Sequence, residues 1–476
     1  MPGVLVALLA VCATPAVAAE PTDAPTAACA PLDVAALAAR IVPSIESYTL
    51  ANGLRVHLVP RAADATVAVR VAYDVGARDE EPGRSGTAHL FEHLMFKGSE
   101  RVGDGVFFRI ARDAGGRTNA STDYDLTQYW ATVAPAALDR VLFAEADRMR
   151  GLRLDEASLA SQRAAIDEER GQLYATPGVA AAEAFGIALW EGTPYGHSVI
   201  GGREELDATT LDEAMRFHRL HYAPSNAVLV LVGGFDVAAA RASIAAHFGA
   251  LPARPGPPPR APFALEARPL ARRVVDARTP FPVYAIVWHG VGATHADALA
   301  VAVVDELLMG AGDGRLTRAV ARPLAFDAFA LPAALRDVGL LDYVFAPRTF
   351  ASFREIERAV RGEARALRER GPGAAELCRA RRQEQRERLA ALDANEGVAA
   401  AIAAGTLVHG DALRALDELA RLDALDAGDV RRVAARVLVD ASPTLAIAPT
   451  GALRWLKPIL EILPASVGAA LERSLL

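Results

Sequence analysis

Apolar residues recur along the first half of the chain with two different periods. Alternation with β-branched enrichment predicts strands at 55–59 and 66–73, and an unbroken apolar run predicts a buried strand at 227–232. Helical spacing predicts helices at 136–151 and 156–174. We therefore expect an α+β fold in which helices pack on one face of a mixed β-sheet.

The second half of the chain repeats this order of elements. A strand at 283–288 and a helix at 296–309 are followed by helices rich in Arg and Glu at 353–370 and 373–392. We therefore expect two tandem domains of similar structure, each with its own sheet.

Breaks in the pattern divide the chain into six segments. The Pro-rich stretch 251–263 cannot form a helix or a central strand, so it marks the clearest boundary. An apolar run at 4–11, followed by Ala16-Val17-Ala18, is typical of a secretory signal peptide and predicts a periplasmic or secreted protein. We expect a signal peptide at 1–19, an extended N-terminal arm at 20–46, a first domain at 47–250, a linker at 251–263, a second domain at 264–450 and a tail at 451–476.

Composition and charge narrow the choice of partners. Hydrophobic residues make up 52% of the chain and charged residues 23%, as in ordinary globular proteins. A formal charge of −7, from 51 Lys and Arg against 58 Asp and Glu, argues against a nucleic-acid partner. No later stretch is apolar over the length of a bilayer, so we expect no integral membrane segment. Signal cleavage would leave Cys29 and Cys378, either as a disulfide or as two free thiols.

The strongest chemical signal is the sequence His89-Leu90-Phe91-Glu92-His93 within a predicted helix. Residues four apart share one face of a helix, so two imidazoles can reach one metal ion at about 2.0–2.1 Å. Glu92 lies over the same face, where a carboxylate can take a proton from an activated water. This H-x-x-E-H order is the inverzincin signature, and it predicts a zinc hydrolase.

A catalytic zinc needs a third protein ligand, and the helix predicted at 156–174 offers two candidates. Glu168 and Glu169 are adjacent and point about 100° apart, so only one of them can face the metal. An apolar residue recurs every seven positions, at Leu159, Ile166 and Leu173. Gln162 and Glu169 each lie three residues after one of the first two, so they share a face. Spacing alone leaves both glutamates open.

Six motifs along the chain carry a resemblance to a known family. They lie at 50–56, 86–98, 115–125, 162–174, 194–201 and 222–233. In this order they resemble the M16, or pitrilysin-type, metallopeptidases of the bacterial two-domain type, a family that includes the mitochondrial processing peptidase subunits. The resemblance spans residues 45–445. It implies the M16 fold, one zinc ion (Zn2+) per chain and hydrolysis of unfolded peptides or small proteins.

The resemblance also assigns roles to individual residues. In the family the third ligand follows the second histidine by 76 residues, which is Glu169 here. Glu92 is the implied general base, which takes a proton from water and passes it to the leaving amine. Gln162 stands where family members often carry a Glu that helps to orient the site. Asn119 and Ala120 lie in the segment that binds an extended substrate by strand addition.

The second half of the chain lacks the ligand set. Aligning residues 94–96 with 307–309 puts Ala302, Asp305 and Glu306 opposite the two histidines and the glutamate of the motif. We therefore expect the first domain to carry the chemistry and the second to help form the substrate cavity.

The second half also departs from the family at the carbonyl clamp. Family members commonly supply there an Arg and a Tyr, seven residues apart, that polarise the substrate carbonyl. Ala319 and Phe326 stand at those places, and Phe has no hydroxyl donor. We therefore expect a homologous M16 subunit without the zinc motif to complete the site in a heterodimer, with a homodimer as the alternative.

Two other interpretations compete with the peptidase. The first is a non-catalytic M16-like scaffold or assembly subunit, against which the intact His89, Glu92, His93 and Glu169 count. The second is a zinc enzyme of another class, since the small S-ribosylhomocysteine lyases also carry H-x-x-E-H. Those enzymes use a Cys ligand, and no cysteine lies near the motif in this sequence.

Overall fold

Two sheets follow each other along the chain. The computed structural model describes residues 29–449, except 264, 266–268, 277, 280, 311, 349 and 350. Within those residues the strands form two six-stranded sheets, and helices pack on both. The α+β class with two tandem sheets is confirmed. The predicted signal peptide and C-terminal tail lie outside the described residues.

The first sheet is formed before residue 250. Its strands are β1 (Glu46–Thr49), β2 (Arg55–Pro60), β3 (Val67–Tyr73), β4 (Arg117–Thr122), β5 (Thr127–Val133) and β6 (Ala227–Gly233). They lie in the order β1-β2-β6-β3-β5-β4, with β2 and β6 parallel and the other neighbours antiparallel. β3 and β6 are buried along their whole length because both faces of the sheet are covered there. β4 lies at one edge.

The helices of this half pack mainly on one face of the first sheet. They are α1 (Val34–Ile41), α2 (Thr87–Leu94), α3 (Val106–Asp113), α4 (Leu138–Arg150), α5 (Glu156–Ala175), α6 (Val179–Leu189), α7 (Arg203–Ala208), α8 (Leu211–His221) and α9 (Val237–His247). Leu90 and Phe91 of α2 and Leu142 of α4 join Val71 of β3 in one apolar core. This packing fixes α2, the helix that carries the H-x-x-E-H motif, against the sheet.

The second sheet repeats much of this plan. Its strands are β7 (Ala271–Val275), β8 (Val283–His289), β9 (Ala325–Ala330), β10 (Ala333–Ala334), β11 (Gly339–Pro347) and β12 (Thr444–Ala448). Its helices are α10 (Ala298–Met309), α11 (Phe353–Arg370), α12 (Ala374–Ala391), α13 (Asn395–Ala404), α14 (Arg414–Ala424) and α15 (Ala427–Val437). Single helical turns occur at Ala77–Asp79, Pro135–Ala137, Pro224–Asn226, Thr317–Ala321, Arg322–Leu324 and Gly405–His409. Among the described helices, none has both the length and the apolar character needed to cross a bilayer.

Each half of the chain covers the second face of the other half's sheet. Ile402 of α13 packs with Val228 and Val230 of β6 in the first sheet. In return, Phe185 of α6 packs with Val287 of β8 in the second sheet. The predicted division between 47–250 and 264–450 therefore separates the strands of the first sheet from those of the second. The apolar cores that bury these strands contain residues from both halves of the chain.

The N-terminal arm differs from its prediction. Residues 20–46 were expected to be extended, but α1 forms within them and β1 begins at their end. Asp33 caps the helix by accepting a hydrogen bond from the backbone N–H of Ala36 at 2.9 Å. Ala38 and Ile41 pack against the core that α13 shares with the first sheet. The arm is helical here because it has an apolar surface to cover.

A disulfide joins this arm to the second half of the chain. Cys29 and Cys378 are bonded, with their Cα atoms 5.8 Å apart. The backbone N–H of Leu32 also donates to Asp423 of α14 at 2.9 Å. Of the two states that the sequence left open for the cysteines, the structure therefore has the disulfide, between the arm and α12.

Removing this crosslink should destabilise the protein. The cysteines are 349 residues apart, so the disulfide restricts a very long loop of the unfolded chain. We expect Cys29→Ser with Cys378→Ser to lower the free energy of unfolding by about 2–4 kcal/mol, measured by urea titration. Dithiothreitol should reproduce this loss in the wild type and leave the double variant unchanged. Equal urea midpoints for oxidised and reduced wild type would contradict the expectation.

Candidate metal centre

The motif helix α2 has one buried and one more open face. Gly86 precedes it with φ +86°, a conformation that glycine adopts without strain. The buried face includes Leu90, Phe91 and Leu94. His89 and His93 project from the other side, toward α5, and Glu92 lies close enough to Glu169 of α5 to interact with its charge. Helical periodicity therefore places all three motif side chains where a second helix can meet them.

Two imidazoles and one carboxylate converge between α2 and α5. His89 Nε2 lies 3.5 Å from Glu169 Oε2, and His93 Nε2 lies 3.6 Å from the same oxygen. Glu168 instead accepts a hydrogen bond from Gln172 Nε2 at 3.1 Å on its own helix. The geometry thus brings Glu169, and not Glu168, to the two histidines.

The donor set fits a zinc ion. One ligand atom from each of His89, His93 and Glu169 lies within 4.8 Å of the other two. Ligand atoms about 2.0–2.1 Å from one ion, at tetrahedral angles, lie about 3.4 Å apart, close to the separations seen here. Burial lowers the pKa of His89 to about 4, so its imidazole is neutral at pH 7, as a metal ligand must be.

The other two groups of the centre influence each other. Burial disfavours the charged form of His93, but the hydrogen bond with Glu169 and the negative charges of Glu92 and Glu169 together outweigh it and raise the pKa of His93. The same contact lowers the pKa of Glu169. Gln162 lies beside His93 and also favours its charged form. The site therefore has the attraction for positive charge that a cation-binding centre needs.

Glu92 lies on the same helix face, next to the edge strand. Its carboxylate is largely buried, and burial raises its pKa, while Thr122 at the end of β4 partly offsets the shift. Thr122 is buried at the position where β4 pairs with Thr127 of β5. The carboxylate of Glu92 thus lies next to Thr122 of β4, the strand at the open edge of the sheet.

The predicted substrate-binding residues lie on that edge. Asn119 pairs with Trp130 and Ala120 with Tyr129, and in the described residues β4 has β5 as its one strand neighbour. The Asn119 side chain is exposed, whereas Ala120 is buried in the apolar core. A peptide added to this edge would therefore meet the side chain of Asn119 but only the backbone of Ala120.

The corresponding place in the second half holds carboxylates. There α10 packs on α12 as α2 packs on α5. Carboxylate oxygens of Glu306, Glu384 and Glu387 lie within 4.8 Å of one another, and Asp305 accepts a hydrogen bond from Tyr343. Burial, reinforced by the neighbouring acids, raises the pKa of Glu306 to about 8. The second half keeps the helix pair and carries no imidazole at the aligned positions.

A partly buried acid on the second sheet should make the stability depend on pH. Asp342 lies in β11 between Leu340 and Val344 on one face, and its Oδ1 has no hydrogen-bond partner among the described residues. Burial raises its pKa from 3.8 to about 7. Because the carboxyl of Asp342 ionises at a lower pH in the unfolded chain, its contribution to stability falls as the pH rises from 3.8 to about 7 and is constant above that range.

Asp342→Asn should therefore stabilise the protein at alkaline pH. The amide has a similar shape and does not ionise, so the variant should exceed the wild type at pH 8 by up to about 4 kcal/mol. At pH 4 the two should be nearly equal. Urea titrations at both pH values measure the difference, with the exposed Asp417→Asn as the control. If the variant and the wild type differ in free energy of unfolding by the same amount at pH 4 and pH 8, ionisation of Asp342 is not the cause of the difference.

Two family models match the chain, one after the other. A model described as "Insulinase (Peptidase family M16)" matches residues 55–203, and one described as "Peptidase M16 inactive domain" matches residues 208–384. The chain belongs to the M16 peptidase family. The first match contains all four residues of the candidate centre, and the second lies where the M16 ligand set is missing.

Individual relatives agree with this M16 assignment. "Zinc protease PqqE" of Helicobacter pylori is 36% identical over 202 residues, which is 40% of this chain and 44% of that protein. A probable mitochondrial-processing peptidase subunit beta of Arabidopsis thaliana is 26% identical over 414 residues, covering 84% of this chain and 77% of the relative. The crystal structure of a protease from Helicobacter pylori superposes with a TM-score of 0.76 at 26% identity, covering 86% of this chain and 100% of that one.

Sequence reasoning missed one acidic residue beside the centre. Glu80 belongs to none of the sequence motifs and stands between two other acids, Asp79 and Glu81. In the structure its carboxylate accepts hydrogen bonds from the backbone N–H groups of Gly86 and Ala88 at the start of α2. Three neighbouring acids look alike in sequence, so only the folded contact identifies Glu80.

Proposed function

We propose that this M16 protein is a zinc-dependent endopeptidase that hydrolyses unfolded peptides or small proteins. The observation that carries the proposal is the convergence of His89, His93 and Glu169, with Nε2–Oε2 distances of 3.5 and 3.6 Å. These three residues would hold one zinc ion, and Glu92 on the same helix would act as the general base. The names of M16 relatives as zinc proteases support the assignment.

Different residues of the chain would carry out different parts of the proposed reaction. When bound, zinc would supply a water whose pKa is lowered to about 7 and would polarise the scissile carbonyl. Glu92 would take a proton from that water and deliver it to the leaving amine. The backbone of β4 would hold the peptide in an extended form, with Asn119 contacting one of its side chains or its backbone.

We further propose that a homologous M16 subunit completes the site. Phe326, at the family's Tyr position, is 43% exposed and has no hydroxyl to donate to a carbonyl oxygen. The guanidinium of Arg348 lies 5.4 Å from the centre of its ring. The partner would lack the zinc motif and supply the Arg/Tyr pair. The name "subunit beta" of the processing peptidase relatives agrees with pairing of this kind.

A periplasmic or secreted location forms part of the proposal. The bond between Cys29 and Cys378 favours an oxidising compartment, because disulfides persist there and are reduced in the cytosol. The signal peptide predicted at 1–19 agrees with that location.

A cleavage assay tests the proposed function. The purified chain, alone and with a co-purified M16 partner, would be incubated with a mixture of unfolded peptides, with zinc and with a chelator. We expect one zinc per chain, cleavage that the chelator stops, and a higher rate with the partner. A full rate for the chain alone would overturn the partner requirement. Absence of zinc binding would overturn the peptidase.

A further inference from the structure

The motif helix α2 has no cap of its own. The residue before it is Gly86, which has no side chain, and the first turn contains no acidic residue. The backbone N–H groups at the start of a helix nevertheless need acceptors. Another part of the chain has to supply them.

Glu80 supplies two acceptors from outside the helix. Its Oε2 accepts from the N–H of Gly86 at 2.9 Å, and its Oε1 accepts from the N–H of Ala88 at 2.7 Å. The side chain is 1% exposed, so water does not compete for these bonds. Ala88 directly precedes His89. The turn of α2 that bonds to Glu80 is therefore the one that carries the first of the two proposed zinc-binding histidines.

A single segment, residues 197–205, holds Glu80 and the start of α2 from the other side. His197 Nδ1 lies 3.5 Å from Glu80 Oε2. Glu205 accepts a hydrogen bond from the N–H of Ser85 at 2.6 Å. Gly201 touches Gly86 so closely that a Cβ on Gly201 would lie 2.4 Å from the carbonyl oxygen of Ser85. Any side chain at Gly201 would push α2 away.

The same segment is also tied to α5, the helix of the third ligand. Arg203 Nε donates to Asp167 Oδ1 at 2.8 Å, two residues before Glu169. Arg170, directly after Glu169, donates to the carbonyl oxygen of Ile200 at 3.5 Å. Residues 197–205 therefore contact the start of α2 and the turn of α5 that carries Glu169.

We infer that Glu80 is a positioning residue for the metal centre. It fixes the first turn of α2 against the 197–205 segment, which in turn sets the distance from that turn to Glu169. This role rests on the proposed function, since it concerns the zinc ligands. It differs from simple stabilisation because its loss should shift His89 relative to Glu169 even in protein that stays folded.

Zinc affinity of the full-length protein tests this role, with the metal alone as the probe. Competition with a fluorescent chelator gives the zinc Kd of the wild type, Glu80→Ala and Glu80→Gln. We expect Glu80→Ala to weaken binding by about 10–100-fold, as is typical when a residue that supports a ligand is removed. Glu80→Gln keeps one acceptor oxygen, and we expect it to weaken binding too, by a smaller factor than Glu80→Ala.

Asn52→Ala provides the matched control for lost stability. Asn52 is buried in the same half and donates to the carbonyl oxygens of Phe248 and Leu251, at 2.7 and 3.2 Å. Its loss should lower the urea midpoint without changing the zinc Kd. The visible spectrum of the cobalt(II)-loaded protein, which reports ligand geometry, should change in Glu80→Ala and stay constant in Asn52→Ala.

The outcomes separate this inference from the proposed function. Wild-type protein that fails to bind zinc would overturn the proposed function. Wild-type binding with an unchanged Kd in Glu80→Ala would overturn the role of Glu80 and leave the peptidase standing. An equal loss of affinity in Asn52→Ala would also overturn it, because affinity would then follow stability. If Glu80→Ala does not fold, an unchanged Kd in Glu80→Gln is the overturning result.

Discussion

Glu92→Gln should slow peptide hydrolysis by orders of magnitude while zinc stays bound. Glutamine fills the same space beside Thr122, but its amide cannot accept the proton of the attacking water. Positioned general bases contribute about 10²–10⁴-fold, so kcat should fall by that factor. The three proposed ligands are untouched, so metal analysis should still give one zinc per chain.

Glu168→Gln is the matched control for this experiment. It makes the same chemical change on α5, where the Glu168 carboxylate bonds to Gln172 and faces away from the histidines. Its kcat and zinc content should equal those of the wild type. Unchanged hydrolysis in Glu92→Gln would place the activity outside this centre and favour a non-catalytic scaffold.

Glu169→Ala should remove zinc itself. The substitution leaves two protein ligands where three converge, and we expect the zinc Kd to rise by about 10³-fold or more, roughly 4 kcal/mol. Zinc present at 100 times the wild-type Kd stabilises the folded state by about 2.7 kcal/mol, and Glu169→Ala should lose this stabilisation. Thermal unfolding with and without zinc measures it.

Glu168→Ala decides between the two adjacent glutamates. The substitution removes the same number of atoms one residue earlier, so a general effect on α5 would appear in both variants. We expect its zinc Kd to match the wild type. The reverse pattern, with affinity lost in Glu168→Ala and kept in Glu169→Ala, would mean that α5 presents its other face to the histidines.

Local spacing predicts much of the candidate centre. His89 and His93 share a face because the helix repeats every 3.6 residues, and this rule needs no knowledge of the rest of the fold. Periodicity along α5 also works, since Leu159 and Ile166 are both fully buried and Glu169 lies off that stripe. The choice of Glu169 over Glu168 needed the family resemblance, because one sequence does not reveal which helices meet.

The spacing of residues along the sequence does not predict contacts between distant segments. The capping role of Glu80 depends on how the 197–205 segment folds back on α2. The bond between Cys29 and Cys378 depends on where the arm crosses α12. The helix at 34–41 was predictable in principle, from Asp33 as a cap and from apolar residues at helical spacing. The small residues and prolines around it favoured an extended arm instead.

The repeat of strands and helices predicts the two sheets, but it does not predict how their outer faces are covered. Apolar strands such as β6 are buried on both sides, which indicates that something covers each face. The order of elements along the sequence suggests that helices of the same half cover both faces of each sheet. The structure instead uses α13 for the first sheet and α6 for the second.

Because each half of the chain covers one face of the other half's sheet, the two halves depend on each other for their stability. A cut in the Pro-rich linker would sever the chain where no helix or strand is interrupted, yet neither fragment would keep a complete set of neighbours. The first fragment would expose Val228, Val230 and Val232 to water, and a bare apolar sheet face of this kind promotes aggregation. We therefore expect a fragment that ends at the linker to be insoluble on its own, and co-production of both pieces to restore a soluble complex.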